Sequence, residues 1–341
     1  MEKFVIKEKF NGEKRLNMKH TNAKNKLYVV MYHYVRDLSH SRYPQIKGLD
    51  LLLFREQIKY LKEVFHVITM EEVIAAVEGE CELPANSCLL TFDDGYIDNF
   101  TYVMPILEEE NIQGSFFIPG KTFTEHCLLD VNKIHYILAG ANFKNLLSDL
   151  FERMDYYRGK EFDFPDNEVF LKEFGKRQGR YDSEEVLFIK YMLQTALPER
   201  LRNNISSDLF EKYVGIREEQ LAYELYLTED QIRMMQRRGH YIGIHGYDHY
   251  WLANLPEEKM QTDIRKALMV MEEFIDCKSW IMNYPYGNYN EKVIEYVKSQ
   301  GCCLGFTTET RVADYSTDNR YKLPRLDCND FPPKSENFKK F

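Results

Sequence analysis

The chain has 341 residues with a net charge of −9, and 44% of them are hydrophobic and 29% charged. A chain of this length can build one large barrel or two modest domains, and its composition excludes bulk disorder. An acidic protein gains no counterion release from phosphates, so we expect no nucleic acid partner.

The first 26 residues depart from this balance, with eight Lys or Arg against three Glu. We interpret 1–26 as a basic, solvated extension, and weak contact with an anionic membrane surface is the alternative. The sequence shows neither a secretory signal nor an apolar run long enough to cross a membrane. Its seven Cys lack CxxC spacing and are expected to be reduced thiols. We therefore predict a cytoplasmic protein without a transmembrane segment.

Strands and helices are predicted to alternate through the first third of the chain. The predicted elements are a strand at 27–35, a helix at 51–65, a short strand at 67–68, a helix capped by Thr69, a strand at 87–92, a helix at 97–110 and a strand at 114–118.

This alternation stops at 121–227, a charged stretch with helical periodicity and no clear strand pattern. We interpret 121–227 as a helical insertion, which we call the predicted insertion. Capping a pocket, oligomerisation and binding a partner are the alternatives for its role.

After the predicted insertion the alternation resumes. The predicted elements there are a helix capped by Thr228, a strand at 241–244, a helix at 256–275, a strand at 279–284, a helix at 290–300, and strands at 302–307 and 323–326. We divide the chain into an extension (1–26), a first barrel part (27–120), the predicted insertion (121–227), a second barrel part (228–328) and a tail (329–341).

Repeated strand and helix units predict a parallel sheet, either doubly wound or closed into a barrel. Polar residues stand where the predicted strands end: His33, the pair Asp93 and Asp94, His245, and Tyr286. Barrels and open α/β sheets place their chemistry at this end of the strands.

Asp93 and Asp94 follow a run of apolar residues in the segment TFDDGY. Two adjacent carboxylates at the mouth of a buried strand persist only when a cation, a proton or hydrogen bonds offset their repulsion and lost hydration. A helix N-cap would need one Asp, so the pair favours a functional site.

His245 and His249 lie four residues apart in HGYDH, in a short loop after another predicted strand. Two imidazoles at this spacing can face one divalent ion, and a carboxylate can complete the set. Two His and one Asp would leave positions open for water and substrate, as catalytic sites require. The third segment, NYPYG at 283–287, predicts a rigid turn whose backbone N–H can face a substrate oxygen, and an ordinary turn is the alternative.

These three segments, in this order, resemble the polysaccharide deacetylase family (carbohydrate esterase family 4, the NodB homology domain). TFDDG is similar to its first motif, HGYDH to its H-x-x-x-H motif, and NYPYG stands where its R-x-P-Y motif falls. The resemblance covers 27–120 and 228–328, and it implies a distorted (β/α) barrel with fewer than eight repeats.

The resemblance also implies roles for particular residues. Asp93 is expected to be the general base, and the Tyr286 backbone N–H the oxyanion donor. The implied ligands of a divalent ion are Asp94, His245 and His249. We expect zinc, with cobalt, nickel or another divalent ion as alternatives. Further expected substrate contacts are Asn283, Tyr284, Pro285 and Tyr247.

The sequence departs from the family at two points. No His follows His249, so the usual late acid is missing, and Asn283 replaces the Arg that usually contacts the base. His33, in MYHYV, resembles the acid of poly-N-acetylglucosamine deacetylases and is our candidate acid; a hydrogen-bonded core His is the alternative. Arg325 is our candidate partner for Asp93, with a surface charge as the alternative.

We therefore predict a metal-dependent enzyme that removes an N-acetyl group from an amino sugar or glycan precursor, in surface polysaccharide or lipopolysaccharide biosynthesis. Hydrolysis of another small C–N substrate, as in allantoinase-like proteins, is one alternative. A carbohydrate-binding protein that has lost catalysis is the other.

Overall fold

The computed structural model describes residues 25–341, so most of the predicted extension lies outside the described part. The strands are β1 (Lys26–Tyr32), β2 (Val35–Arg36), β3 (Leu49–Asp50), β4 (His66–Val67), β5 (Ser87–Phe92), β6 (Ser115–Ile118), β7 (Tyr241–Ile244), β8 (Trp280–Asn283), β9 (Cys302–Phe306), β10 (Ala313–Asp314) and β11 (Leu326–Asp327).

The α-helices lie between these strands and in the predicted insertion. They are α1 (Leu51–Val64), α2 (Met70–Glu78), α3 (Met104–Glu109), α4 (Gly120–Thr124), α5 (Asp130–Gly140), α6 (Phe143–Tyr157), α7 (Asn167–Phe174), α8 (Glu184–Tyr191), α9 (Glu199–Val214), α10 (Glu218–Leu225), α11 (Glu229–Arg237), α12 (Glu257–Met271) and α13 (Glu291–Ser299). Among the described helices, none combines the length and the apolar character needed to span a membrane.

One curved sheet of nine strands organises the fold. Its main path runs β10-β1-β5-β6-β7-β8-β9, and all neighbours from β1 to β9 on that path are parallel. Parallel neighbours place their C-terminal ends at the same edge of the sheet, which is where the predicted site residues follow their strands.

The segment 323–327 connects the two ends of this sheet. Leu323 bridges Phe306 at the end of β9, and β11 pairs in parallel with β1. The fold is therefore the distorted (β/α) barrel with fewer than eight repeats that the resemblance implied.

Burial explains why the strands of the barrel were recognisable. All six residues of β5 are buried, as expected for a parallel strand covered on both faces. Leu89 and Leu90 belong to different apolar clusters because successive side chains of a strand point to opposite faces. Thr69 and Thr228 cap α2 and α11 as predicted, and each forms a capping box with the residue three positions later.

The helix predicted at 256–275 ends early, at Met271, and several other predicted elements are shifted by one residue at an end. Three further elements differ more clearly. The strand predicted at 27–35 ends at Tyr32, because the chain then leaves the sheet and β2 pairs with β3. The helix predicted at 97–110 begins with a π-helical turn at Asn99–Val103. The strand predicted at 323–326 is reduced to β11, since its first residue makes a single bridge.

Helices α4 to α10 occupy the predicted insertion, and α5 to α10 supply most of a second apolar cluster. Tyr34 and Tyr96, which belong to the barrel in sequence, are buried in that cluster. The helices therefore pack against the residues that follow β1 and β5. The division of the chain into five parts stays a prediction.

Candidate active site

Asp94, His245 and His249 form a buried cluster at the C-terminal edge of the sheet. The Asp94 Oδ1 atom lies 3.4 Å from His245 Nε2 and 3.2 Å from His249 Nε2. One ligand atom from each residue lies within 4.8 Å of the others. Asp94 Oδ1 is buried and has no hydrogen-bond partner among the described residues. A buried carboxylate oxygen between two imidazole nitrogens fits a divalent cation.

Two hydrogen bonds orient these side chains. The main-chain oxygen of Asn283 lies 2.6 Å from His245 Nδ1. Because a carbonyl oxygen only accepts, Nδ1 carries the proton and the Nε2 lone pair faces Asp94. The Tyr96 hydroxyl donates to Asp94 Oδ2 at 2.5 Å, which leaves Oδ1 turned toward the imidazoles.

The backbone around the cluster adopts an uncommon conformation. Asp94, His249 and Tyr286 have φ values of 72°, 55° and 58°, in the left-handed region. Residues other than glycine are rarely held there, and such strain is concentrated at functional sites.

Asp93 points to a different set of partners. Arg325 donates from both terminal nitrogens to the two Asp93 oxygens, each at 2.8 Å, and Asn283 Nδ2 donates to Oδ1 at 2.6 Å. Arg325 is 1% exposed, and its Nε also donates to the Thr307 carbonyl. The candidate partner of Asp93 is thus at bidentate hydrogen-bonding distance.

Both carboxylates are held in their ionised form. Burial alone would raise the pKa of Asp93, but the charge and hydrogen bonds of Arg325 lower it below the usual value. Burial would likewise raise the pKa of Asp94, but the neighbouring imidazoles of His245 and His249 hold it well below its usual range.

His33 lies at the mouth of the same site. Its Nε2 is 3.8 Å from Asp93 Oδ2, and its side chain is 39% exposed while that of Asp93 is 2% exposed. An imidazole in this position can exchange protons with a substrate that contacts Asp93. The structure therefore brings His33 next to the other predicted site residues, and its role as an acid stays a prediction.

A cavity of about 380 Å³ adjoins the cluster. His249, Trp251 and Tyr286 line one side, and the start of α5 and the region before α9 line the other. The Tyr286 ring stacks on Trp251 with centroids 4.2 Å apart and contacts His249 edge-on at 4.6 Å. The cavity thus lies between the barrel and the predicted insertion.

The predicted substrate contacts have different surroundings. Tyr284 and Asn283 are fully buried, and Pro285 is also buried. Tyr247 is 9% exposed and its hydroxyl donates to Glu125. The side-chain amide of Asn283 is hydrogen-bonded to Asp93. Substrate contact by these four residues stays a prediction.

The sequence analysis missed two polar residues of α5. Asn132 is buried and contacts the hydroxyls of Tyr34 and Tyr96. His135 Nδ1 lies 3.4 Å from the Tyr34 hydroxyl, and its pKa is lowered to about 3, first by burial and then by Lys190. Their three-residue spacing, which places both on one helical face, was the signal available in the sequence.

Comparison with known proteins identifies a family. A family model described as polysaccharide deacetylase matches residues 81–157 and 204–304. The match enters the predicted insertion from both sides and leaves out 158–203. The Bacillus subtilis (strain 168) protein YxkH, named for the polysaccharide deacetylases, is 27% identical over 106 residues, which make up 31% of this chain and 38% of that relative. The chain therefore aligns with well under half of the relative's length.

Solved structures share the fold over nearly the whole chain. The Streptococcus pyogenes deacetylase PplD in complex with acetate has a TM-score of 0.54 at 16% identity, and covers 92% of this chain and 96% of its own. IcaB from Ammonifex degensii has a TM-score of 0.53 at 18% identity, with coverages of 93% and 97%. A de-N-acetylase from Aggregatibacter actinomycetemcomitans also has a TM-score of 0.53 at 18% identity, with coverages of 92% and 99%. At these identities the likeness shows the fold alone.

Proposed function

The chain belongs to the polysaccharide deacetylase family, and from this premise we propose that it is a metal-dependent hydrolase that removes an N-acetyl group from an amino sugar or glycan precursor. The observation that carries the proposal is the unpartnered Asp94 Oδ1, buried between two imidazole nitrogens and next to an ionised Asp93. A general base and a cation site, side by side at the C-terminal edge of the sheet, are the components that metal-dependent amide hydrolysis requires.

We propose Asp94, His245 and His249 as the ligands of a divalent ion. Two imidazoles and one carboxylate are a ligand set found in catalytic zinc sites, and cobalt or nickel would be accepted by the same donors. When bound, such an ion supplies Lewis acidity, which lowers the pKa of a water and polarises the acetamide carbonyl.

Asp93 acts as the general base in this proposal. Arg325 keeps its carboxylate ionised and fixes its orientation, so that it can accept a proton from the attacking water. Asn283 adds a third hydrogen bond to Oδ1. Arg325, in the segment 323–327, would thus supply the positive charge that Asn283 lacks. A base with this partner favours an active enzyme over a binding protein that has lost catalysis.

His33 acts as the general acid. It is the exposed member of the site, 3.8 Å from Asp93 Oδ2, so it can donate a proton to the leaving amine as the C–N bond breaks. The Tyr286 N–H would donate to the oxygen that gains negative charge. The strained backbone at Tyr286 is consistent with a main-chain group held for this purpose.

Acetate release from N-acetylated amino sugars tests the proposal. Protein loaded with zinc or cobalt is incubated with a panel of free, nucleotide-linked and oligomeric sugars, with a chelator-treated sample and Asp93→Asn as matched controls. We expect acetate from at least one class and none from either control. Metal-loaded protein that releases none across the panel would contradict the proposal.

The cellular setting is part of the proposal. We propose a cytoplasmic enzyme of surface polysaccharide or lipopolysaccharide biosynthesis, because all seven Cys are free thiols, as is usual in a reducing compartment, and the family is that of the polysaccharide deacetylases. Activity on nucleotide-linked or lipid-linked precursors, with none on assembled glycan, would support this setting; the reverse preference would contradict it.

A further inference from the structure

A chain of buried hydrogen bonds leads from Asp94 into the predicted insertion. The Tyr96 hydroxyl donates to Asp94 Oδ2 at 2.5 Å, and Asn132 Nδ2 donates to the Tyr96 oxygen at 2.6 Å. The Tyr226 hydroxyl donates to Asn132 Oδ1 at 2.5 Å and accepts the Leu129 N–H at 3.0 Å. Asn132 lies on α5, and Tyr226 directly follows α10, so both ends of the predicted insertion meet at this chain.

The direction of these bonds is fixed from both ends. The Leu129 N–H can only donate, so the Tyr226 hydrogen is free to go to Asn132 Oδ1. The two hydrogens of Asn132 Nδ2 then go to the Tyr96 and Tyr34 oxygens. The Tyr96 hydrogen is consequently available to the Asp94 carboxylate, which only accepts. An acceptor in place of Asn132 Nδ2 would compete with Asp94 for that hydrogen.

Burial makes this arrangement costly to disturb. Tyr96 and Asn132 are fully buried and Tyr226 is 3% exposed. Leaving a polar group unsatisfied at such a depth is costly, so the groups are held in this one pattern.

Ring stacking adds rigidity to the same residues. The Tyr96 ring stacks on Tyr34 with centroids 4.0 Å apart and lies parallel to Tyr226 at 6.3 Å. The Leu227 N–H also donates to the Gly95 carbonyl at 2.9 Å. The turn that carries Asp94 is thus held by residues at both ends of the predicted insertion.

We propose that Asn132 is a positioning residue for the metal ligand Asp94, acting through the hydroxyl of Tyr96. By fixing Oδ2 on Tyr96, this chain leaves Oδ1 facing His245 and His249 before a cation arrives. The inference rests on the proposed metal site and assigns the predicted insertion a part in building that site.

Cobalt titration of the full chain, followed by visible absorption, tests the inference. Asn132→Leu keeps the approximate volume and removes both donors, and loss of such an outer partner typically weakens metal binding by about 10–100-fold. We expect the dissociation constant for cobalt to rise by at least about tenfold and the absorption bands of the bound ion to change. Tyr96→Phe breaks the chain from the barrel side and should have a similar effect.

The double variant separates positioning from general loosening. If Asn132 acts through Tyr96, Asn132→Leu should cause little further loss in the Tyr96→Phe background. Ile137→Ala is the matched control, since Ile137 is fully buried on the same helix and outside the hydrogen-bonded chain. It should lower the melting temperature and leave cobalt affinity unchanged.

Three results would overturn the inference and leave the proposed metal site standing: wild-type cobalt affinity in Asn132→Leu, full additivity with Tyr96→Phe, or an equal loss of affinity in Ile137→Ala. Wild-type protein that binds no cobalt would overturn it together with the proposed metal site. Protein that binds cobalt and releases no acetate would contradict the proposed function alone, because the titration reads affinity.

Discussion

Replacing Arg325 with Met removes the cation that faces Asp93. Arg325 is 1% exposed and donates two hydrogen bonds of 2.8 Å to the Asp93 carboxylate. Its loss leaves a buried negative charge that keeps the side-chain hydrogen bond from Asn283. Removing one partner of a buried ion pair costs about 3–5 kcal/mol. We expect the free energy of unfolding to fall by about that amount at pH 7.

The loss should depend on pH in a defined direction. In the native protein Arg325 lowers the pKa of Asp93 against the effect of burial, so the ionised carboxylate adds stability above its unfolded pKa. This contribution is lost as pH falls through the lowered folded value. Without Arg325, burial dominates and the folded pKa is expected to rise above the unfolded one. The variant then loses stability as the pH rises from the pKa of Asp93 in the unfolded protein to its raised pKa in the folded variant.

Urea unfolding at pH 7 and near pH 4 measures this difference. Arg325→Met should be more destabilising at pH 7, and less so in an Asp93→Asn background, where no charge is left unpaired. Arg55→Met removes a partly exposed ion pair with Glu109 and should cost at most about 1 kcal/mol. An equal loss at both pH values and in both backgrounds would refute the reasoning.

Three further variants address the site. His33→Gln should reduce kcat by about 10²–10⁴-fold and remove the basic limb of the pH profile while cobalt affinity is retained; wild-type kcat would exclude His33 as the acid. His249→Ala should abolish stoichiometric cobalt binding in an equilibrium titration, whereas the exposed His40→Ala should bind normally; tight binding by the first would exclude His249 as a ligand. Trp251→Ala should raise KM, because its ring stacks on Tyr286 beside the cavity, and an unchanged KM would place the sugar elsewhere.

Much of the barrel was predictable because its strands are short apolar runs with buried faces. The strands at 87–92 and 241–244 have the predicted bounds. Closure of the sheet was not predictable in detail. It depends on pairing between Val30 and Leu326, which are far apart in sequence. A strand of two residues is also too short to show an alternation of apolar and polar residues.

The proximity of the predicted site residues follows from the same rule. Asp94 and His245 come after parallel strands of one sheet, so their side chains meet at one edge. The contact of Arg325 with Asp93 needed the family resemblance, because nothing in LPRLD distinguishes a buried Arg from an exposed one. Asn132 was missed because α5 has the apolar spacing of an ordinary core helix, and because the hydrogen-bond partners of Asn132 lie on other elements.

Anomalous diffraction from a crystal soaked in zinc tests the central claim most directly. We expect one ion bound by Asp94 Oδ1 and the Nε2 atoms of His245 and His249, with zinc to nitrogen distances of about 2.0–2.1 Å. Asp93 should remain paired with Arg325 and should not ligate the ion. No ion at this cluster, or an ion bound through Asp93 instead of Asp94, would contradict the account.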